Sequence, residues 1–188
     1  MRVISGASSG LPDGFYSRVA RYRHRVFVEQ LGWQLHVEDD AESDQFDRAD
    51  TVYVAVEDAE GRIAGCARLL PTTRPYLLGE VFPQLLNGLT PPCDPAVWEL
   101  SRFAAMDFNQ PAVTLAQFSS SATALLMREA MAVAAAHGAE RLITVSPVGI
   151  ERLIRRLGIR AHRAGPPVRF GAQAVFACWI EVAGSKSA

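Results

Sequence analysis

The chain has 188 residues, 49% apolar and 21% charged, with 19 basic against 20 acidic side chains for a net charge of −1. That length suits one domain with a self-sufficient apolar core, and the balance excludes overall disorder. A neutral sum also disfavours a general nucleic-acid binder, which carries a basic excess. Arginine supplies 18 of the 19 basic residues, and Lys186 is the only lysine.

The start, MRVISGASSG, lacks the apolar run of a secretory signal, and residues 1–10 are expected to be a flexible end. Asp13 is expected to cap a helix running to about Leu31, with Phe15, Val19, Tyr22 and Val26 at helical spacing. The acidic stretch GWQLHVEDDAESDQFDRAD has no clear period and reads as a long loop, a type of segment often functional. TVYVAVED and RIAGCARLLP read as two antiparallel strands joined at Ala59-Glu60-Gly61. From Pro71 to Pro95 the chain reads as mostly loop, with a helical turn at VFPQLLNG.

VWELSRFAAM is the next strand. Ser119 to Ser121 offer caps for a helix through SATALLMREAMAVAAAHG, ended by Gly138. RLITVSP is a strand, and Ser146-Pro147 is expected to open a short helix ended by Gly158. Its apolar stripe is Ile150, Leu153, Ile154 and Leu157, with Arg152, Arg155 and Arg156 on the other side. AVFACWIEV closes the order, and residues 183–188 are expected to be a flexible end. Hairpins with crossover helices imply an α/β or α+β fold in a single domain, a mixed sheet flanked by helices.

Cys66, Cys93 and Cys178 are too far apart for a C-x-x-C site, and the four histidines form no ligand pair, so no metal is expected. No apolar run approaches the ~20 residues that span a bilayer, so the expected location is cytoplasmic, with no membrane partner. Arg62 to Ala67 matches [QR]-x-x-G-x-[GA], a pyrophosphate-loop pattern of acetyltransferases. It lies on a strand with no helix behind it, so the helix dipole that such a loop needs is missing. Gly65 reads instead as a point of close backbone approach.

The charged residues are more informative. Arg23 lies on the first helix, Asp44 and Asp47 in the acidic loop, Arg68 after the hairpin, and Glu99 and Arg102 in WELSRF. On a regular strand, positions three apart face opposite sides, so Glu99 and Arg102 share a site only across a bulge or bend.

These residues fall in an ordered set: R23-H-R-V-F27, L-G-W33, E42-S-D44-Q-F-D47, G65-C-A-R68-L-L-P-T-T-R-P-Y76, V81-F82-P83 and W98-E99-L-S-R102-F103. With this set, from about Arg21 to Val182, the chain resembles the acyl-homoserine-lactone synthases of the LuxI type. The resemblance implies a GNAT-like mixed sheet and no working coenzyme A loop. It implies transfer of an acyl group from acyl carrier protein to the amino group of S-adenosylmethionine. Lactone closure then releases 5′-methylthioadenosine and a quorum-sensing signal. S-adenosylmethionine is a substrate there, and no cofactor is expected.

The resemblance makes Glu99 the candidate base, with Arg102, Asp44, Asp47, Arg23 and Arg68 as the charged machinery. Asp44 and Asp47 suit the substrate's cations, and the arginines its carboxylate. Phe27, Trp33 and Phe103 supply rings for adenine and sulfonium, and backbone N–H groups near Arg102 to Ala104 suit the thioester oxyanion. Phe82, Leu125, Met127, Thr144, Ser146 and Leu153 are the candidate acyl pocket. Arg152, Arg155 and Arg156 are the candidate face for the acidic carrier protein. Two alternatives stand beside this reading: a GNAT N-acyltransferase using acyl-CoA, and a non-catalytic small-molecule binder on the same fold.

Overall fold

The computed structural model describes residues 1–106, 108, 121–171 and 173–182. The strands are β1 (Arg2–Ala7), β2 (Val37–Glu38), β3 (Ala41–Glu42), β4 (Val52–Glu57), β5 (Ile63–Pro71), β6 (Val97–Ala104), β7 (Arg141–Pro147), β8 (Ala161–Arg163), β9 (Val168–Phe170) and β10 (Gln173–Glu181). The α-helices are α1 (Phe15–Arg23), α2 (Leu77–Val81), α3 (Ser121–Ala136) and α4 (Ile150–Arg156). The main sheet runs β1-β4-β5-β6-β7-β10-β8, with β9 on β10. β1 pairs antiparallel with β4, β6 parallel with β7, and β7 antiparallel with β10. The expected fold class, a mixed sheet with flanking helices, is the one observed.

The residues group into two compact units, Met1–Arg68 with Arg102–Ala130, and Leu69–Ser101 with Met131–Ala188. In the first, α1 buries Phe15, Val19 and Tyr22 with Tyr53, Cys66 and Met106. The second buries Leu69, Leu85, Leu100, Ile143, Phe176 and Ile180.

Four expectations need correction. Residues 1–10 are not a loose end: Arg2–Ala7 supply a complete antiparallel register to β4, which satisfies that strand's outer edge. Asp13 does not cap the first helix, because Gly14, in a left-handed turn (φ 71°), occupies that position. The helical periodicity does run to Gln30, but from His24 the turns widen to π-helix, and Gly32 (φ 68°) follows in a left-handed conformation. Pro147 still belongs to β7, and α4 begins three residues later, after Gly149.

Smaller elements are too short to leave a sequence pattern. Val37–Glu38 and Ala41–Glu42 form a tight hairpin whose corner residues, Asp39 and Asp40, both have positive φ. Helix α2 and strands β8 and β9 have five residues or fewer. The Ser119 and Ser120 positions of the expected cap, and residues 183–188, lie outside the described residues.

Candidate active site

In the first unit, three arginines and three carboxylates form a buried ionic cluster. Arg23 ends α1 and places its guanidinium edge on both oxygens of Asp47, at 2.8 and 3.0 Å. Its Nε donates to Glu42, carried on β3. Arg68, on β5, bridges Asp44 at 2.6 Å and Asp47 at 2.9 Å through one nitrogen. Arg102, on β6, donates to Glu42 at 2.9 Å and to Asp44 at 3.0 Å. The six charges sum to zero, so each charge taken from water meets an opposite one, as burial requires.

The acidic segment makes this possible by folding on its own carboxylates. Asp44 accepts from the backbone N–H of Phe46, and Asp47 accepts from the backbone N–H of Asp44. Phe46 is buried, 5.7 Å below the Arg68 guanidinium carbon. Burial works against the charge of Asp47, but the Arg23 bonds and charge, with help from Arg68 and Tyr53, hold its carboxyl well below the usual range. Glu42 is lowered in the same way: burial opposes it, and Arg102 and Arg23 overcome that. Burial, then the charge of Asp47, push the Tyr53 hydroxyl far above its ordinary value, so it stays protonated and donates to Asp47.

The bend required between Glu99 and Arg102 is present. Arg102 has φ 50°, the left-handed region that costs a non-glycine residue about 1–3 kcal/mol. Its guanidinium goes to Glu42 and Asp44, and its carbon lies 5.6 Å from the centre of the Phe27 ring. Phe27 stacks on Trp33, centres 5.0 Å apart and planes at 25°. The wide π turn and Gly32 set this stack, since the Trp33 N–H returns to the Phe27 carbonyl. Phe103 is half-buried.

Gly65 fits the structural reading of its motif. A Cβ there would lie 3.2 Å from the Ala104 carbonyl oxygen and 3.3 Å from Leu126. Arg62 is spent on Asp58 and Glu60, and the rest of the motif, Ile63 to Ala67, lies in β5 rather than at a strand-to-helix turn.

The second unit holds Glu99 on β6, fully buried and parallel-paired with Ile143 of β7. Its carboxylate accepts from the backbone N–H groups of Leu77 (3.0 Å) and Leu78 (2.6 Å), at the start of α2. Burial, followed by the charge of Glu99, raises the Tyr76 hydroxyl above its usual value, and that hydroxyl donates to the Pro92 carbonyl.

The acyl-pocket candidates divide between the units. Leu125 and Met127 lie on α3 in the first, Met127 buried and Leu125 half-buried. Phe82, Thr144, Ser146 and Leu153 lie in the second. There Thr144 and Ser146 alternate along β7, which puts both buried hydroxyls on one face. Phe82 meets Phe170 edge-on at 5.3 Å.

Helix α4 buries Leu153 and Ile154 and exposes Arg152, Arg155 and Arg156. Glu151 takes Arg155 at 3.5 Å and Arg163 at 2.6 Å, so Arg155 is partly neutralised.

Two residues of the cluster had no role assigned by sequence, Glu42 and Tyr53. Glu42 stood in the motif E42-S-D44, but among seven acids from Glu38 to Asp50 nothing ranked it. Tyr53 sat in TVYVAVED, which read only as a strand.

The autoinducer synthase family model matches residues 11–187. An acyl-homoserine-lactone synthase of Acinetobacter nosocomialis is 52% identical, over 97% of this chain and 100% of that protein. The crystal structure of TofI in a ternary complex with an inhibitor and MTA is 48% identical, with a TM-score of 0.84, over 97% of this chain and 92% of TofI. MesI, a CoA-dependent acyl-homoserine lactone synthase, is 26% identical, with a TM-score of 0.82, over 97% of this chain and 90% of MesI.

Proposed function

The chain belongs to the autoinducer synthase family and is an acyltransferase of the acyl-homoserine-lactone synthase kind, and from that premise we propose that it acylates S-adenosylmethionine from a carrier-protein thioester. The observation that carries the reading is the likeness to TofI, which was crystallised with MTA. That thioether is what remains of S-adenosylmethionine once its methionine part has closed to a lactone.

The reaction has two bond exchanges. An ammonium group does not attack a thioester, and a free α-amino group ordinarily loses its proton only at pH ~7.7–8. Glu99 takes the proton, directly or through a water. The freed amine attacks the thioester carbonyl, and the carrier thiol leaves. The substrate's carboxylate oxygen then attacks the carbon bearing the sulfonium. The C–S bond electrons go to sulfur, and neutral 5′-methylthioadenosine departs. Acyl thioester and S-adenosylmethionine thus give lactone, thiol, methylthioadenosine and one proton. The ionic cluster holds the charged end of S-adenosylmethionine, with Phe27, Trp33 and Phe103 for its rings and sulfonium. Backbone N–H groups from Arg102 to Ala104 serve the oxyanion. Phe82, Leu125, Met127, Thr144, Ser146 and Leu153 serve the acyl chain. The reading needs no resident cofactor.

Support for a carrier-protein donor comes from the exposed Arg152 and Arg156, one turn apart on α4, which suit an acidic protein. A CoA donor is the second reading, favoured by the likeness to the CoA-dependent MesI.

The test is incubation with S-adenosylmethionine and matched panels of acyl carrier protein and acyl-CoA thioesters, read by mass spectrometry. Lactone and methylthioadenosine together, from the carrier-protein panel, are expected. Neither product across both panels overturns the reading, and product from acyl-CoA alone moves it to the second. Glu99→Gln is expected to lower kcat by about 10²–10⁴-fold. Turnover near the wild-type level removes Glu99 as the base.

A further inference from the structure

Tyr53 is a buried titratable group with no part in the reaction above. It is 1% exposed, and its hydroxyl donates to Asp47 Oδ1, an oxygen already shared by Arg23 (2.8 Å) and Arg68 (2.9 Å). The other oxygen takes Arg23 (3.0 Å) and the backbone N–H of Asp44 (2.8 Å). Asp47 is therefore saturated, with a side chain only 4% exposed. Asp44, at 15%, is the least buried of the six charged side chains. Arg68 and the Asp44 backbone tie the two acids together.

We propose that Tyr53 is a positioning residue for S-adenosylmethionine: its hydroxyl fixes the rotation of Asp47 and, through Arg68 and the Asp44 N–H, the orientation of the Asp44 carboxylate that the substrate meets. Asp47 is then an internal brace, and Asp44 is the acid in contact with a substrate cation. Without the Tyr53 bond, Arg23, Arg68 and the Asp44 N–H alone hold the Asp47 carboxylate, and a turn about its last bond draws Oδ1 away from Arg68, which loosens the Arg68 hold on Asp44. Tyr16 supports the arrangement from its half-buried position. Its ring packs on Tyr53, centres 5.4 Å apart at 56°. The sharing of Asp47 between two arginines makes the Tyr53 bond consequential, since an oxygen with three donors has one orientation that serves them all.

The proposal rests on the cluster's role in binding S-adenosylmethionine, and the experiment separates the two. Tyr53→Phe keeps the ring and removes the hydroxyl. Tyr22→Phe is the control, removing an equally buried hydroxyl in the same unit that bonds backbone groups of Ala64 and Met106. Calorimetry gives the Kd for S-adenosylmethionine, and steady-state assays give both KM values. Tyr53→Phe is expected to weaken S-adenosylmethionine binding about tenfold, as loss of a bond to a charged group does. Its KM for the acyl donor should stay within about twofold, and Tyr22→Phe should show no such split. An unchanged Kd in Tyr53→Phe, or the same split in Tyr22→Phe, overturns the proposal. A wild-type chain that binds S-adenosylmethionine but makes no lactone overturns the functional reading, and the Kd ratio still decides Tyr53. A wild-type chain that does not bind it overturns both.

Discussion

Arginine does two opposite jobs in this chain. In the cluster, Arg23 and Arg68 are fully buried and Arg102 nearly so, each facing two carboxylates. On α4, Arg152, Arg155 and Arg156 face solvent, and the Arg155 side chain is 79% exposed. The residue type is the same, and the surroundings set its worth. A buried ion pair broken on one side leaves an uncompensated charge in a poor solvent, whereas an exposed pair trades contact for hydration at almost no cost. The first arrangement is therefore architecture as much as chemistry. The second adds little to stability and is free to serve an encounter with a partner.

The strongest test of that contrast is Glu42→Ala, which takes one of two carboxylates from both Arg23 and Arg102 and leaves the buried cluster one positive charge in excess. A loss of about 3–5 kcal/mol in urea unfolding is expected, a large share of a typical domain's ~5–15 kcal/mol. A loss below about 1 kcal/mol would make the cluster no more structural than a surface pair.

Acid should find the same difference. Asp47 and Glu42 titrate below their ordinary values in the folded chain. The unfolded chain therefore binds more protons as pH falls. Their contribution is fully present above the unfolded values of ~4 and fades as pH drops below them. The wild-type Tm is expected to fall between pH 6 and pH 3 more steeply than that of Asp47→Asn. Parallel slopes would remove Asp47 from the acid limb. Glu151 is also lowered, by its bond from Arg163, but its side chain is only half-buried and solvent screens the effect.

The smallest effect on stability belongs to Arg152→Glu combined with Arg156→Glu, within about 0.5 kcal/mol. The same pair is expected to raise the KM for a carrier-protein thioester about tenfold, in a salt-dependent way, and to leave the KM for S-adenosylmethionine unchanged. Equal rises in both KM values would count against docking on α4.

Much of this was legible in the residues. Alternation and β-branching marked β4, β5, β7 and β10 to within a few positions. The bend that a shared site for Glu99 and Arg102 would need falls at Arg102 itself. What went unread was short or non-local. The first strand looked like a loose end because the strand it pairs with, β4, lies some fifty residues on. The π-helical widening at His24–Gln30 leaves the same apolar spacing as an α-helix over so few residues.

By itself, the sequence determined the fold class, the family and the roster of charges, because periodicity and motif order are local and survive in a string of letters. It did not determine which acid meets which arginine. Glu42 joins Arg23 and Arg102 across 19 and 60 residues, and Tyr53 reaches Asp47 from a strand in which no residue had a role beyond pairing. Those pairings exist only where burial removes water as the competing partner. Burial is a property of the packed chain, so tertiary structure alone decided that three arginines and three carboxylates became one neutral unit, while three arginines on α4 stayed in solvent.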